Sequence, residues 1–330
     1  MAIIISHITA AQLFSISPSF EKAPLPYGAP TLDVFAGKRA ADLAVIASLK
    51  QILPTPIHIL TAPESSWKRT RTLVPHTFAD AIEASELWRL TDNVLICAPA
   101  WSFVQAAQTM RPLSLALYGY LLCGTHALAD IPGGLVKRPP LTNVRDIRAF
   151  TERHAALKGI KSARCAAQWL LDGSASPMES ALALRFALPR SKGGLGIDRI
   201  ELNHRIDLTE RQRAVACRSC YRIDVFLPDV GIGIEYDSDA FHAAADKIAR
   251  DALRRNILES LGIRMLTVTR RQLLDAEEFR IIADSVYELM GKRQHKRSIA
   301  MLGREEELAR KLRGALSRMR PAIPSGIVFP

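Results

Sequence analysis

The stretch that most constrains this chain is Tyr221–Asp237, YRIDVFLPDVGIGIEYD. Two runs of alternating apolar residues flank Pro228-Asp229-Val230-Gly231, and alternation on both sides of such a turn cluster predicts a β-hairpin. If residues 228–231 form the loop, Leu227 pairs with Ile232, Phe226 with Gly233, Val225 with Ile234 and Asp224 with Glu235. Side chains two apart share a face. Arg222, Asp224, Glu235 and Asp237 are therefore expected on one side, and Ile223, Val225, Ile234 and Tyr236 on the core side.

Opposed side chains in such a pair have Cβ atoms about 5 Å apart, and like charges there repel. The pair is tolerable when a cation lies between the carboxylates or when one of them takes up a proton. Oxygen-rich clusters suit hard ions, so the hairpin is a candidate site for Mg²⁺ or Mn²⁺ held by Asp224 and Glu235. The competing reading is a solvated edge, on which acidic residues only keep a strand from pairing further.

What surrounds the hairpin is long enough for two domains, at 330 residues, with 48% hydrophobic and 23% charged residues. The formal charge of +11 favours an anionic partner, nucleic acid before an acidic membrane surface. The longest apolar stretch, LSLALYGYLLCGTHAL, is shorter than the roughly 20 residues a bilayer span needs, so a buried helix and no membrane partner are expected. The apolar start has no basic segment or cleavage pattern. Five scattered cysteines fit reduced thiols in the cytoplasm. Cys217 and Cys220 form a CxxC without the second ligand pair that structural zinc requires.

Residues 1–140 read as a mixed α/β domain. Helices are expected near Thr9–Phe14, over Gly37–Gln51, over Gln105–Met110 and over Leu113–Ala129. Strands are expected around Ile57–Leu60, Arg69–Leu73 and Asn93–Cys97. His58, His76 and His126 lie far apart in sequence, and each is read as structural. Residues 141–173 form a basic helical connector, either a solvated charged face or a DNA contact. In residues 174–290, Ser176-Pro177-Met178-Glu179 is a capping box that opens a helix. A strand over IDRIELNHRIDL, the hairpin, a helix over Phe241–Leu261, the strand IRMLTVT and a helix over Asp275–Met290 follow. A helix between the hairpin and IRMLTVT predicts parallel pairing of that last strand, so one mixed sheet flanked by helices is expected. Residues 291–330 are a basic helical tail.

The pieces SPMES, RIDVFLPD, GIEYDSDAFH, DALRRNILESLG and IRMLTVT together resemble the PD-(D/E)xK, restriction-endonuclease-like superfamily. More closely, they are similar to an uncharacterised bacterial family allied to Vsr-type very-short-patch-repair endonucleases. PTPIHIL, ICAP and LYGYLLCGT resemble the N-terminal part of AbiEi-like abortive-infection proteins. The resemblance implies an α/β nuclease core whose Asp224 and Glu235 hold Mg²⁺ (or Mn²⁺), with Glu179 reaching the site from the first helix. Asp237 stands where the general motif has lysine, so Arg222, Lys247 or Arg250 would have to balance the charge. His242 stands where Vsr-like enzymes place a histidine, although by itself it reads as a helix-start residue. Lys247, Arg250, Arg254 and Arg255 are expected to contact nucleic acid or form ion pairs.

The function this implies is a metal-dependent endonuclease acting on double-stranded DNA in phage defence or repair. The alternative is a catalytically degenerate nuclease fold serving as an antitoxin or DNA-binding regulator, with a toxin as protein partner. RNA is the weaker substrate reading, because aromatics make up only 6% of the chain and none cluster with the basic residues as a stacking platform would require.

Overall fold

The computed structural model describes residues 2–16, 40–131, 134–237, 245–292 and 297–321. It contains two compact units, one drawn mainly from residues up to Gln168 and the other from Trp169–Arg318. Both are mixed α/β with helices flanking mixed sheets.

The elements of the first unit are β1 (Ile3–Ile5), α1 (His7–Ile16), α2 (Ala40–Ile52), β2 (Ile57–Thr61), β3 (Leu73–Thr77), β4 (Leu87–Thr91), β5 (Val94–Cys97), α3 (Pro99–Ala106), α4 (Pro112–Cys123), β6 (His126–Leu128), β7 (Leu135–Lys137), α5 (Val144–Arg153) and α6 (Ile160–Ala167). The main sheet has the order β3-β2-β1-β5-β4. Its central strand, β1, is the fully buried run Ile3-Ile4-Ile5, paired parallel to β5 and antiparallel to β2. Helix α4 is apolar all round and buried from Leu115 to Cys123, as expected of a helix enclosed by protein.

Three local expectations shift. The strand expected over Arg69–Leu73 starts only at Leu73, because Thr70 N–H donates to the Leu73 carbonyl at 2.9 Å in a turn and the basic residues before it are exposed. The helix expected over Gln105–Met110 is the end of α3, which starts at Pro99 in its first turn, where a missing N–H costs nothing. The helix expected over Leu113–Ala129 stops at Cys123; Gly124 is extended, and residues 126–128 pair with β7. The basic stretch that follows forms α5 and α6, which pack on α3 and α4. Arg148 donates to the Ala167 carbonyl and Arg164 to that of Thr151, so these two cations tie one helix to the other.

The second unit contains α7 (Pro177–Ala187), β8 (Glu201–Asp207), α8 (Glu210–Ala216), β9 (Cys220–Leu227), β10 (Ile232–Asp237), α9 (Ala245–Ser260), β11 (Arg264–Thr269), α10 (Arg270–Leu274), α11 (Ala276–Leu289) and α12 (Ile299–Leu316). Its sheet has the order β11-β10-β9-β8. Strands β8, β9 and β10 are antiparallel in turn, and β11 returns parallel to β10 after α9, as the crossover predicts. Helix α9 closes one face through Ile257 and Leu258, which pack with Tyr221, Ile223, Phe226 and Ile263. A Cβ on Gly233 would lie 2.5 Å from Met265 Sδ and 3.1 Å from Ile223 Cγ2, so a side chain there would have to displace Met265 and crowd Ile223.

Arg185 of α7 is buried, donating to the carbonyls of Leu273 and Asp275 at 3.1 Å, with its guanidinium carbon 4.1 Å from the centre of the Phe279 ring. The basic tail becomes α12, docked by an ion network in which Glu305 accepts from Arg280 and Arg297 at 2.7 and 3.2 Å. Arg297 also pairs with Asp284 of α11.

Candidate active site in the second unit

The hairpin register is as the sequence predicts for three pairs: Leu227 with Ile232, Phe226 with Gly233 and Val225 with Ile234. Beyond them the Asp224 side chain takes over from the ladder, its carboxylate accepting the Tyr236 N–H at 2.9 Å. Opposite Asp224 on the other flank, Asn203 of β8 sits at φ 48°, in the left-handed region that asparagine tolerates better than most residues. Strict alternation would put Ile223 and Phe226 on opposite faces, yet both pack in the same core cluster. The irregularity at Asp224 and Asn203 is where the alternation breaks. Ile223, Val225 and Ile234 are buried as expected, whereas Tyr236 is only half-buried.

Glu179 arrives from α7. Ser176 caps that helix by accepting the Glu179 N–H at 3.1 Å, but the return bond of a capping box is not made to Ser176. The Glu179 carboxylate instead accepts the Ala175 N–H at 2.8 Å and the Asn203 side-chain amide at 2.9 Å. Asn203 also donates to the Gly173 carbonyl at 2.9 Å. Glu179 is thus turned back along its helix and clamped toward β8 and β9.

Glu235 of β10 meets Arg254 of α9 in an ion pair, and the same guanidinium nitrogen donates to the Arg222 carbonyl. Arg254 also lies over the Tyr221 ring, 5.4 Å from its centre. Both partners of the pair are roughly three-quarters buried, with side chains 28% and 23% exposed.

The electrostatics show that the three carboxylates share one field. Burial raises the pKa of Glu179, with the Asp224 charge adding to it. Burial also raises Asp224, against the Tyr236 N–H and Arg254. Glu235 is pushed up to about 7, first by burial and then by Asp224, Asp251 and Glu179, while Arg254 opposes the shift. A carboxyl group with a pKa near neutrality is a recurrent mark of functional sites, although structural ion clusters produce it too.

The other expected residues fall as follows. Asp237 is half-buried at the end of β10, opposite Thr269. Arg222 does not balance it in the way expected: its guanidinium donates to the Asn203 carbonyl at 3.0 Å on β8. Arg250 and Arg255 are exposed on α9. Lys247 lies on α9, but its side chain is outside the described residues, as is His242 altogether. Among the described residues, Arg254 is the cation in contact with Glu235. From the sequence alone it could be assigned only as an ion-pair or phosphate residue, because its contact with Glu235 depends on how α9 lies across the sheet. Asn203 was not anticipated: nothing in IDRIELNHRIDL distinguishes it from a strand residue.

Among the described residues, no group of three or more His, Cys, Asp or Glu side chains is placed to hold a metal ion. The donor chemistry at Asp224 and Glu235 nevertheless fits a hard divalent cation. Each carboxylate engages its protein partner through a single oxygen, and the mutual repulsion among Glu179, Asp224 and Glu235 is what a cation would relieve. No helix among the described residues is long and apolar enough to cross a membrane. Comparison with known proteins gives no match to a family model, to a curated protein or to a solved structure.

Proposed function

We propose that the second unit is a metal-dependent endodeoxyribonuclease of the restriction-endonuclease-like type, acting on double-stranded DNA. The observation that carries this reading is the convergence of Glu179, Asp224 and Glu235, from a helix and two strands, into one buried field of negative charge. Asp224 and Glu235 would hold Mg²⁺ or Mn²⁺, which when bound lowers the pKa of a bound water and shields a phosphate from the carboxylates. Tyr236 N–H orients Asp224, and Asn203 with the Ala175 N–H orients Glu179. The raised pKa of Glu235, caused first by burial, marks a carboxylate whose charge a bound cation would stabilise. Arg254 supplies a fixed positive charge beside the carboxylates, in the role the motif lysine would have and which Asp237 cannot fill. The net charge of +11 and exposed Arg250 and Arg255 favour a polyanionic substrate through salt-sensitive phosphate contacts.

A specific observation favours a second reading. Arg254 already neutralises Glu235, so the site can be satisfied without any metal, as in a degenerate nuclease fold that binds DNA or acts as an antitoxin. Nicking of supercoiled plasmid in Mg²⁺ or Mn²⁺ separates the two. Loss of nicking in Asp224→Asn and Glu235→Gln, with DNA binding kept, supports the nuclease. A wild-type chain that binds DNA and never nicks it supports the degenerate fold.

A further inference from the structure

The first unit brings together three histidines that lie far apart in the sequence. His7 begins α1 immediately after β1 and sits at φ 51°. His58 is on β2 and His76 on β3, two pairs along the parallel ladder, since His58 is opposite Val74 and His76 opposite Leu60. His58 Nδ1 is 2.8 Å from His76 Nε2, so one ring donates to the other. The His7 ring stacks on His76 with centroids 3.5 Å apart and planes 12° from parallel. His7 is held from behind: its N–H donates to Gln105 Oε1 at 2.8 Å, its Nδ1 is 3.0 Å from Ser6 Oγ, and its Nε2 is 3.4 Å from Gln108 Nε2. All three rings are partly exposed, so a ligand can reach them.

Among the described residues, the fixed charges acting on the cluster are cationic. Arg69 acts on His58 and His76, and Lys158 on His7 and His76; both side chains are on the surface. Burial first, then mutual repulsion and these cations, pushes His7 down to about 3 and His76 to about 4, and burial followed by Arg69 lowers His58. At neutral pH the rings are therefore uncharged hydrogen-bonding groups set among fixed positive charges.

A transition-metal cation is the first ligand that three imidazoles suggest, and the geometry disfavours it. Ring nitrogens direct their lone pairs in the ring plane, so the nearly parallel rings of His7 and His76 cannot aim at one ion. Arg69 and Lys158 would also repel it. An oxyanion meets the opposite situation: the one ring N–H that the neutral His58–His76 pair leaves outward, two flexible cations, and the start of a ten-residue helix, α1, whose first turn carries partial positive charge. His7 is stacked behind as support.

We propose that His7, His58, His76, Arg69 and Lys158 form a binding site for a terminal phosphate group, either free phosphate or the phosphorylated end of a nucleic acid. Burial, which the ligand does not relieve, keeps the rings neutral between pH 8 and 6. A phosphate loses its second negative charge with a pKa of about 6, so affinity falls as pH drops across that range. This site belongs to the first unit and does not rest on the nuclease reading.

The test uses the full chain and titrates it calorimetrically with inorganic phosphate, and separately with a short duplex bearing or lacking 5′-phosphates. The expected result is saturable phosphate binding that weakens as pH falls from 8 to 6 and as salt is raised. Binding should weaken at least 10-fold in Arg69→Ala, whose exposed side chain can be removed without harm to the fold, and in His76→Gln, checked for an unchanged melting profile. Preference for the phosphorylated duplex over its unphosphorylated twin assigns a nucleic-acid end, whereas binding of inorganic phosphate with no such preference assigns the free ion. No binding of either phosphate source overturns the proposal. So does stoichiometric Zn²⁺ binding that His76→Gln abolishes while phosphate has no effect.

Discussion

The carboxylate cluster of the second unit and the histidine cluster of the first are opposite solutions to one problem. Each crowds like titratable groups on a mixed sheet, half-hidden from water. In the second unit the chain supplies its own counter-ion: Arg254 sits on Glu235, and the backbone N–H of Tyr236 sits on Asp224. In the first unit the nearby fixed charges, Arg69 and Lys158, have the sign that makes protonation harder. One cluster is internally compensated and the other is poised against an absent charge. The difference teaches that a crowded polar site is informative through the sign of what surrounds it. The carboxylates are arranged as a cation would want them, and the histidines as an anion would.

The largest expected effect comes from removing the internal counter-ion. Arg254→Ala leaves Glu235 half-buried without its cation and should cost about 2 kcal/mol at pH 8, below the 3–5 kcal/mol of a fully buried pair because both groups keep some solvent. Urea melts at pH 8 and pH 5.5 check this, and the loss should shrink at the lower pH, where Glu235 takes a proton. An equal loss at both pH values breaks the account of that pair.

The two clusters should next show stability slopes of opposite sign. Glu235 has its pKa raised to about 7 in the folded state, so the folded state binds the extra proton between about 4.5 and 7, and stability falls as pH rises through that window. His76 has its pKa lowered to about 4, so the unfolded state binds the extra proton between about 4 and 6.5, and stability rises with pH there. Allowing for solvent exposure, each contribution is on the order of 1 kcal/mol. Hydrogen exchange read separately on the two units, in wild type, Glu235→Gln and His76→Gln, should show each slope flatten only in its own variant. Slopes of the same sign contradict the comparison.

A smaller effect tests the helix start that aims Glu179. Ser176→Ala removes the cap and should cost about 1 kcal/mol, seen as a shift in the urea midpoint. At the bottom of the scale, Arg199→Ala, which breaks the exposed pair of Arg199 with Asp229 at 2.8 Å, should change stability by less than about 0.5 kcal/mol.

The carboxylate cluster was legible in the sequence largely because it is local. Asp224 and Glu235 are eleven positions apart across a turn whose residues set the register. The Ser-Pro-x-Glu start of α7 fixes where Glu179 stands on its helix, although its carboxylate turns to Ala175 and Asn203 rather than closing the capping box. What could not be read was the exception to alternation at Asp224 and Asn203, because a side chain replacing a ladder bond leaves no periodic trace. Arg254 was likewise hidden, since its contact depends on how α9 lies across the sheet. The histidine cluster was illegible for a stronger reason. His7, His58 and His76 meet only because β1, β2 and β3 are adjacent, and β1 is three residues long, too short for a pattern. Those histidines looked separate along the chain, and only the sheet order brings them together.

The central claim is that the hairpin carboxylates form a cation site. Calorimetric titration of Mg²⁺ and Mn²⁺ into wild type and into Asp224→Ala/Glu235→Ala tests it most directly. Saturable binding to the wild type, lost in the double variant while its fold is retained, is the predicted result. A wild type that takes up neither ion, or a double variant that binds as well as wild type, contradicts it.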